Sequence, residues 1–224
     1  MAASKTRRFA ESPASQRRVL EETWTRLVAC VPGGVAAKKY DIDCIEIEGV
    51  VVAGLKGFTE HNSYFPFSGN VITQLGSLPK GCSSSTGALR FPLDSALSTQ
   101  VIRRLVRIRL REMASVDHGK RVVTFPNGSL KAVGGMRKGS LHGPWSWYRQ
   151  DGSLMRTGAF RNGVAVSTWC TYDAKGRKVS ETVKGSSSTT SRRSGSRAPR
   201  AIPPRAKSPR QSARRPDASR HRAR

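Results

Sequence analysis

The chain has 224 residues, and its 40 Lys and Arg outnumber its 15 Asp and Glu to give a formal charge of +25. That length holds one ordinary domain and a smaller one, or two small domains and a tail. The opening MAASKTRRFAESPAS has basic residues with no apolar run behind them, and no apolar segment approaches the ~20 residues that cross a bilayer, so neither a secretory signal nor a span is expected.

Ser12-Pro13 sets up a helix start, with proline at the first helical position, and Leu20, Trp24, Leu27 and Val31 recur at helical spacing until Pro32-Gly33-Gly34 stops them. Tyr40 to Glu48 reads as a strand with imperfect alternation, which predicts a bulge or an edge position. Val50 to Leu55 (VVVAGL) reads as a central strand buried on both sides, and Asn62 to Phe67 as an aromatic strand closed by a turn. Asn70 is expected to cap a short helix carrying Val71, Leu75 and Leu78 on one face, and Gly87 to Phe91 is a strand ended by Pro92. Ser98 then caps a long helix whose buried stripe is Ile102, Leu105, Val106, Leu110 and Met113, with Arg103, Arg104, Arg107 and Arg111 largely outside it. The order predicts an α+β fold, a two-layer sandwich with both long helices on one face of an antiparallel sheet.

The wording GFTEHNSYFPFSG, then STGALRFPLDSALSTQVIRRLVRIRLREM, resembles the YdhG-like family, whose members are similar to frataxins in fold and are described as intracellular iron chaperones. The chain departs from that family at Lys39 to Asp43 and at Thr59-Glu60. The resemblance covers Phe9 to Met113 and implies a domain over 9–114, behind a disordered N-terminus over 1–8. It also implies iron as a cargo held loosely by carboxylate oxygens, for which the candidates are Asp41, Asp43, Glu46 and Glu48. Read without the resemblance, those four are solvated charges guarding an edge strand.

Residues 115–119 read as a linker, and a period of 24 residues begins after it. Gly128/Gly152/Gly176, Gly134/Gly158, Gly139/Gly163, Trp145/Trp169 and Tyr148/Tyr172 coincide at that offset. Each unit of 120–185 is expected to be two strands joined at N-G, D-G or K-G turns, stacked into an antiparallel meander with Trp145, Tyr148, Trp169 and Tyr172 along one face. The wording looks like the variant MORN repeat of the YwqK family, which implies an antitoxin-like module that engages a protein partner.

From residue 186 to 224 the chain carries 12 basic residues and one acid, with Ile202 its one large apolar side chain, so it is expected to be disordered. Arg192, Arg193, Arg197, Arg200, Arg205, Lys207, Arg210, Arg214 and Arg215 suit sequence-independent contact with nucleic-acid phosphates. Cys30, Cys44, Cys82 and Cys170 are scattered, as reduced thiols of a cytoplasmic protein would be. No nucleophile elbow or phosphate loop is present, so an enzyme is not expected. Three non-enzymatic functions follow: iron binding and delivery, partner binding through the repeats, and nucleic-acid association through the tail.

Overall fold

The structure is a computed structural model that describes residues 8–85 and 87–185. The basic tail, with all nine of its candidate phosphate-binding residues, lies outside the described residues.

Helix α1 runs Ala14–Cys30 and is followed by β1 (Val35–Lys39), β2 (Ile42–Ile47), β3 (Val50–Gly57) and β4 (Asn62–Phe65). A short α2 (Val71–Leu75), then β5 (Ser83–Ser85) and β6 (Ala88–Phe91), lead into α3 (Thr99–Ala114). These strands form an antiparallel sheet in the order β1-β2-β3-β4-β6-β5. The remaining strands, β7 (Gly119–Thr124), β8 (Leu130–Arg137), β9 (Ser140–Tyr148), β10 (Leu154–Arg161), β11 (Val164–Tyr172) and β12 (Lys178–Lys184), form a second antiparallel sheet in sequential order.

Twelve strands against three helices make the described chain mostly β, with two six-stranded antiparallel sheets. This overturns the expected frataxin-like sandwich defined by two long helices on a small sheet. Two strands of the first sheet have no local signal in the sequence. Val35–Lys39 and Ser83–Ser85 lack alternation and β-branched runs, yet they pair along Ile42–Glu46 and Ala88–Arg90, so tertiary pairing overrides propensity. Among the described residues no helix is long and apolar enough to cross a membrane.

The first core lies between the first sheet and α1 and α3. Leu20 and Leu27 of α1, Leu55 and Tyr64 of the sheet, and Ile102 and Leu105 of α3 are all fully buried. Ser98 Oγ accepts from Val101 N, as the sequence predicts, and the α3 stripe is buried with Ile108 added to it. At α1, however, Pro13 itself holds the cap position and makes no side-chain cap bond. Leu78 lies beyond the end of α2 and is exposed, because the helix stops at Gly76. The bulge predicted for Tyr40 to Glu48 is the register shift between Ile45 and Glu46 in the pairing of β2 with β3. That strand is interior, with β1 at the sheet edge.

The second sheet carries the 24-residue offset in its backbone. Phe125, Arg149 and Asp173 each donate a backbone N–H to the carbonyl four residues on, and Gly128, Gly152 and Gly176 each donate back to them. Gly119, Gly143 and Ser167 recur at positive φ, at 91°, 76° and 63°. Ser167 therefore occupies a position that glycine fills in the two preceding units. A left-handed non-glycine residue costs roughly 1–2 kcal/mol, and glycine's extra chain entropy offsets part of that. Ser167→Gly is expected to raise stability by about 0.5–1 kcal/mol in chemical denaturation.

Gly134 pairs with Trp145 across β8 and β9, and Gly158 pairs with Trp145 from β10. A Cβ on Gly134 would meet the Trp145 indole at 2.2 Å, and one on Gly158 would meet the Trp169 indole at 2.4 Å. The glycines thus recur with the tryptophans because each indole lies flat on a glycine backbone. Trp145 and Trp169 are buried, and Trp147 stacks on both, at 5.8 and 5.5 Å between centroids. Phe160 meets all three edge-on.

The sheets share apolar packing. Val122 of β7 and Val133 of β8 belong to the same buried cluster as Leu110 and Met113 of α3.

Candidate anion-binding cleft

The four candidate iron ligands are spread along β2. Asp41 sits in the turn before it and Glu48 in the turn after it, both at positive φ. Asp43 and Glu46 are separated by three residues, ~10 Å of strand. Asp41 pairs with Lys38 at 2.9 Å and Lys56 at 2.7 Å, Glu46 with Lys39 at 3.3 Å, and Glu48 with Lys120 at 3.9 Å. Hydrogen bonds from Lys56 and Lys38 hold the Asp41 carboxyl down at about 2. Among the described residues no group of three or more His, Cys, Asp or Glu is placed to hold a metal ion. Asp41 and Asp43 instead line a cleft of about 440 Å³ whose other charged walls are Arg8, Glu11, Lys38 and Lys56.

The aromatic residues of the repeats divide by position. Trp145 and Trp169 are core, whereas Tyr148 and Tyr172 are half-buried. Burial pushes the Tyr148 hydroxyl up, with the nearby Glu48 adding to it.

A second cleft has one sign of charge. Its volume is about 640 Å³, and it lies between the end of α1, the outer face of α3 and the turn after β7. Arg103, Arg107 and Arg111 line one wall. Residues four apart on a helix share a face, rising ~6 Å per step, so the three guanidiniums form a row along the groove. All three are exposed. Among the described residues none of them has a carboxylate within the 4.0 Å of an ion pair. Their neighbours differ: Arg109 is tied to the Val51 carbonyl and to Glu112, and Arg26 to the Leu97 carbonyl and to Glu22.

The facing wall is the turn Thr124, Phe125, Pro126, Asn127 and Gly128. Asn127 Oδ1 accepts from Ser129 N at 3.1 Å and from Ser129 Oγ at 2.8 Å, which closes the turn from within. Gly128, at φ 89°, packs so tightly on α1's exit that a Cβ would lie 3.1 Å from Pro32 Cδ and 3.4 Å from the Cys30 carbonyl. Its counterparts Gly152 and Gly176 have nothing within 4 Å. The first repeat turn is therefore packed against the exit of α1, which its two counterparts are not. Cys30 lies at the floor; burial pushes its thiol up, and Arg103 and Arg107 pull against that.

Sequence reading placed Arg103, Arg107 and Arg111 outside the buried stripe without assigning them a site, and it passed over Phe125. Two signals were available: the four-residue spacing of the arginines, and the alignment that sets Phe125 against Arg149 and Asp173.

No protein-family model matches the chain, and no curated protein matches it. Among solved structures it is similar to a DUF1801-family protein, YdhG, from Bacillus subtilis, at 14% identity and a TM-score of 0.43, over 47% of this chain and 86% of that one. A YdhG protein is thus a distant structural neighbour. Neither the frataxin nor the MORN-repeat resemblance finds support in these comparisons.

Proposed function

We propose that this protein is a non-enzymatic, cytoplasmic binding protein for nucleic-acid phosphates, with the α3 cleft as its folded contact and the basic tail as a second one. One observation carries the reading: three arginines at a four-residue pitch line a cleft with no carboxylate paired to any of them among the described residues. A row of guanidiniums free of carboxylate partners on one helix face suits phosphate, since the fork geometry of Arg matches phosphate oxygens. The formal charge of +25 points the same way. The acids of β2, by contrast, are mostly neutralised by lysines, which leaves little free charge for a cation.

The test compares two variants of equal net charge, Arg103→Gln/Arg107→Gln/Arg111→Gln and Arg104→Gln/Arg137→Gln/Arg161→Gln, all six positions being exposed. At low salt the cleft variant is expected to bind oligonucleotides at least tenfold more weakly than the control variant. Equal affinities would remove the cleft from the function.

A further inference from the structure

We propose that the α3 cleft takes single-stranded nucleic acid, with a base stacked on Phe125 and successive phosphates along Arg111, Arg107 and Arg103. This rests on the phosphate-binding reading above and adds the ligand's class.

The argument begins with the repeat. At the three equivalent turn positions stand Phe125, Arg149 and Asp173. The second and third serve the sheet. Arg149 donates to the Leu154 carbonyl at 3.0 Å and to the Asp173 carbonyl at 3.4 Å, which ties one turn to the next. Asp173 accepts from Lys175 N and Arg177 N, both at 2.9 Å, within its own turn. Phe125 has no side-chain polar group to do either. It is half-buried, and it lines the cleft opposite the arginines. Lys131 Nζ lies over its ring at 5.7 Å from the centroid, so a cation covers one face and a base would stack on the other.

An aromatic ring facing a row of cations is the combination that binds a single strand: the ring stacks on a base of any sequence, and the cations follow the backbone. The arginine pitch of ~6 Å along α3 is close to the spacing of successive phosphates on one strand. A duplex keeps its bases stacked inside, so it can use the arginine row but not the ring. The close approach of Gly128 to Pro32 packs the turn that carries Phe125 against the end of α1, which favours a preformed site.

The test uses the full chain with three probes: a short oligothymidylate, an abasic phosphodiester of the same length, and a duplex. Phe125→Leu is expected to weaken thymidylate binding about tenfold. It should leave the abasic strand and the duplex unchanged, and Phe125→Trp should restore thymidylate binding. If Phe125→Leu leaves thymidylate affinity unchanged, or lowers abasic affinity equally, single-strand stacking is overturned while the phosphate reading stands. If Arg103→Gln/Arg107→Gln/Arg111→Gln alters none of the three probes, both readings fall. Polyglutamate competing as well as thymidylate would overturn nucleic acid as the occupant.

Discussion

Gly158→Val is expected to destabilise the second sheet by roughly 4 kcal/mol, enough to remove its cooperative unfolding transition at moderate denaturant. The added Cβ would lie 2.4–2.6 Å from three atoms of the Trp169 indole. The indole has nowhere to go. Trp147 stacks on it at 5.5 Å, Phe160 meets it edge-on at 5.1 Å, and the Arg156 guanidinium sits 4.8 Å from its centroid. Overpacking alone costs about 1–3 kcal/mol, and each aromatic pair displaced adds about 0.5–1.5 kcal/mol. Tryptophan emission in a urea titration measures it. Gly139→Ala is the informative contrast: that glycine has nothing within 4 Å and a φ of 75°, so only the backbone cost of ~1 kcal/mol applies. Similar losses in both variants would mean that the glycines serve the turns and not the indoles.

The second large effect is expected at Asn62, which is fully buried in β4. Its Oδ1 accepts from Gln16 Nε2 of α1 at 3.0 Å, and its Nδ2 donates to the Pro92 carbonyl at 2.7 Å beyond β6. One side chain thus joins helix, central strand and the exit of the neighbouring strand. Asn62→Leu keeps the volume but orphans the Pro92 carbonyl, and it leaves the Gln16 amide with only the Phe58 carbonyl, at 2.9 Å. Leaving buried polar groups unpaired costs about 1–3 kcal/mol each, so a loss of about 3 kcal/mol is expected. A double-mutant cycle with Gln16→Leu should show coupling above about 0.5 kcal/mol, because the two share one hydrogen bond. Strict additivity would contradict the shared network.

Much of this molecule is legible in its sequence where local chemistry decides the outcome. The Ser98 cap and the Ile102 to Met113 stripe are visible because a helix face and its cap are set by residues three or four apart. The tryptophan and glycine coincidences are visible because a repeat writes its packing into a fixed offset. What pairing at a distance decides is hidden. The strand character of Val35–Lys39 and Ser83–Ser85 comes from their neighbours. The acids of β2 read as a ligand ridge until the lysines at Lys38, Lys39, Lys56 and Lys120 are seen beside them, all four coming from other strands, β1, β3 and β7. The cleft is the clearest case. Arg103 and Phe125 are 22 positions apart, and only the seating of the Gly128 turn on Pro32 sets them on facing walls.

The central claim is that the arginine row on α3 contacts phosphates, and the salt dependence of binding tests it most directly. Each phosphate contact on a single strand contributes about −0.7 to the slope of log affinity against log salt. In the full chain, Arg103→Gln/Arg107→Gln/Arg111→Gln is expected to make the slope for oligothymidylate shallower by about two, three contacts having been lost, while the contribution of the basic tail persists. The control variant Arg104→Gln/Arg137→Gln/Arg161→Gln is expected to leave the slope within about half a unit of the starting protein. Slopes that coincide for the two variants would contradict the account, since the cleft arginines would then act only as diffuse charge.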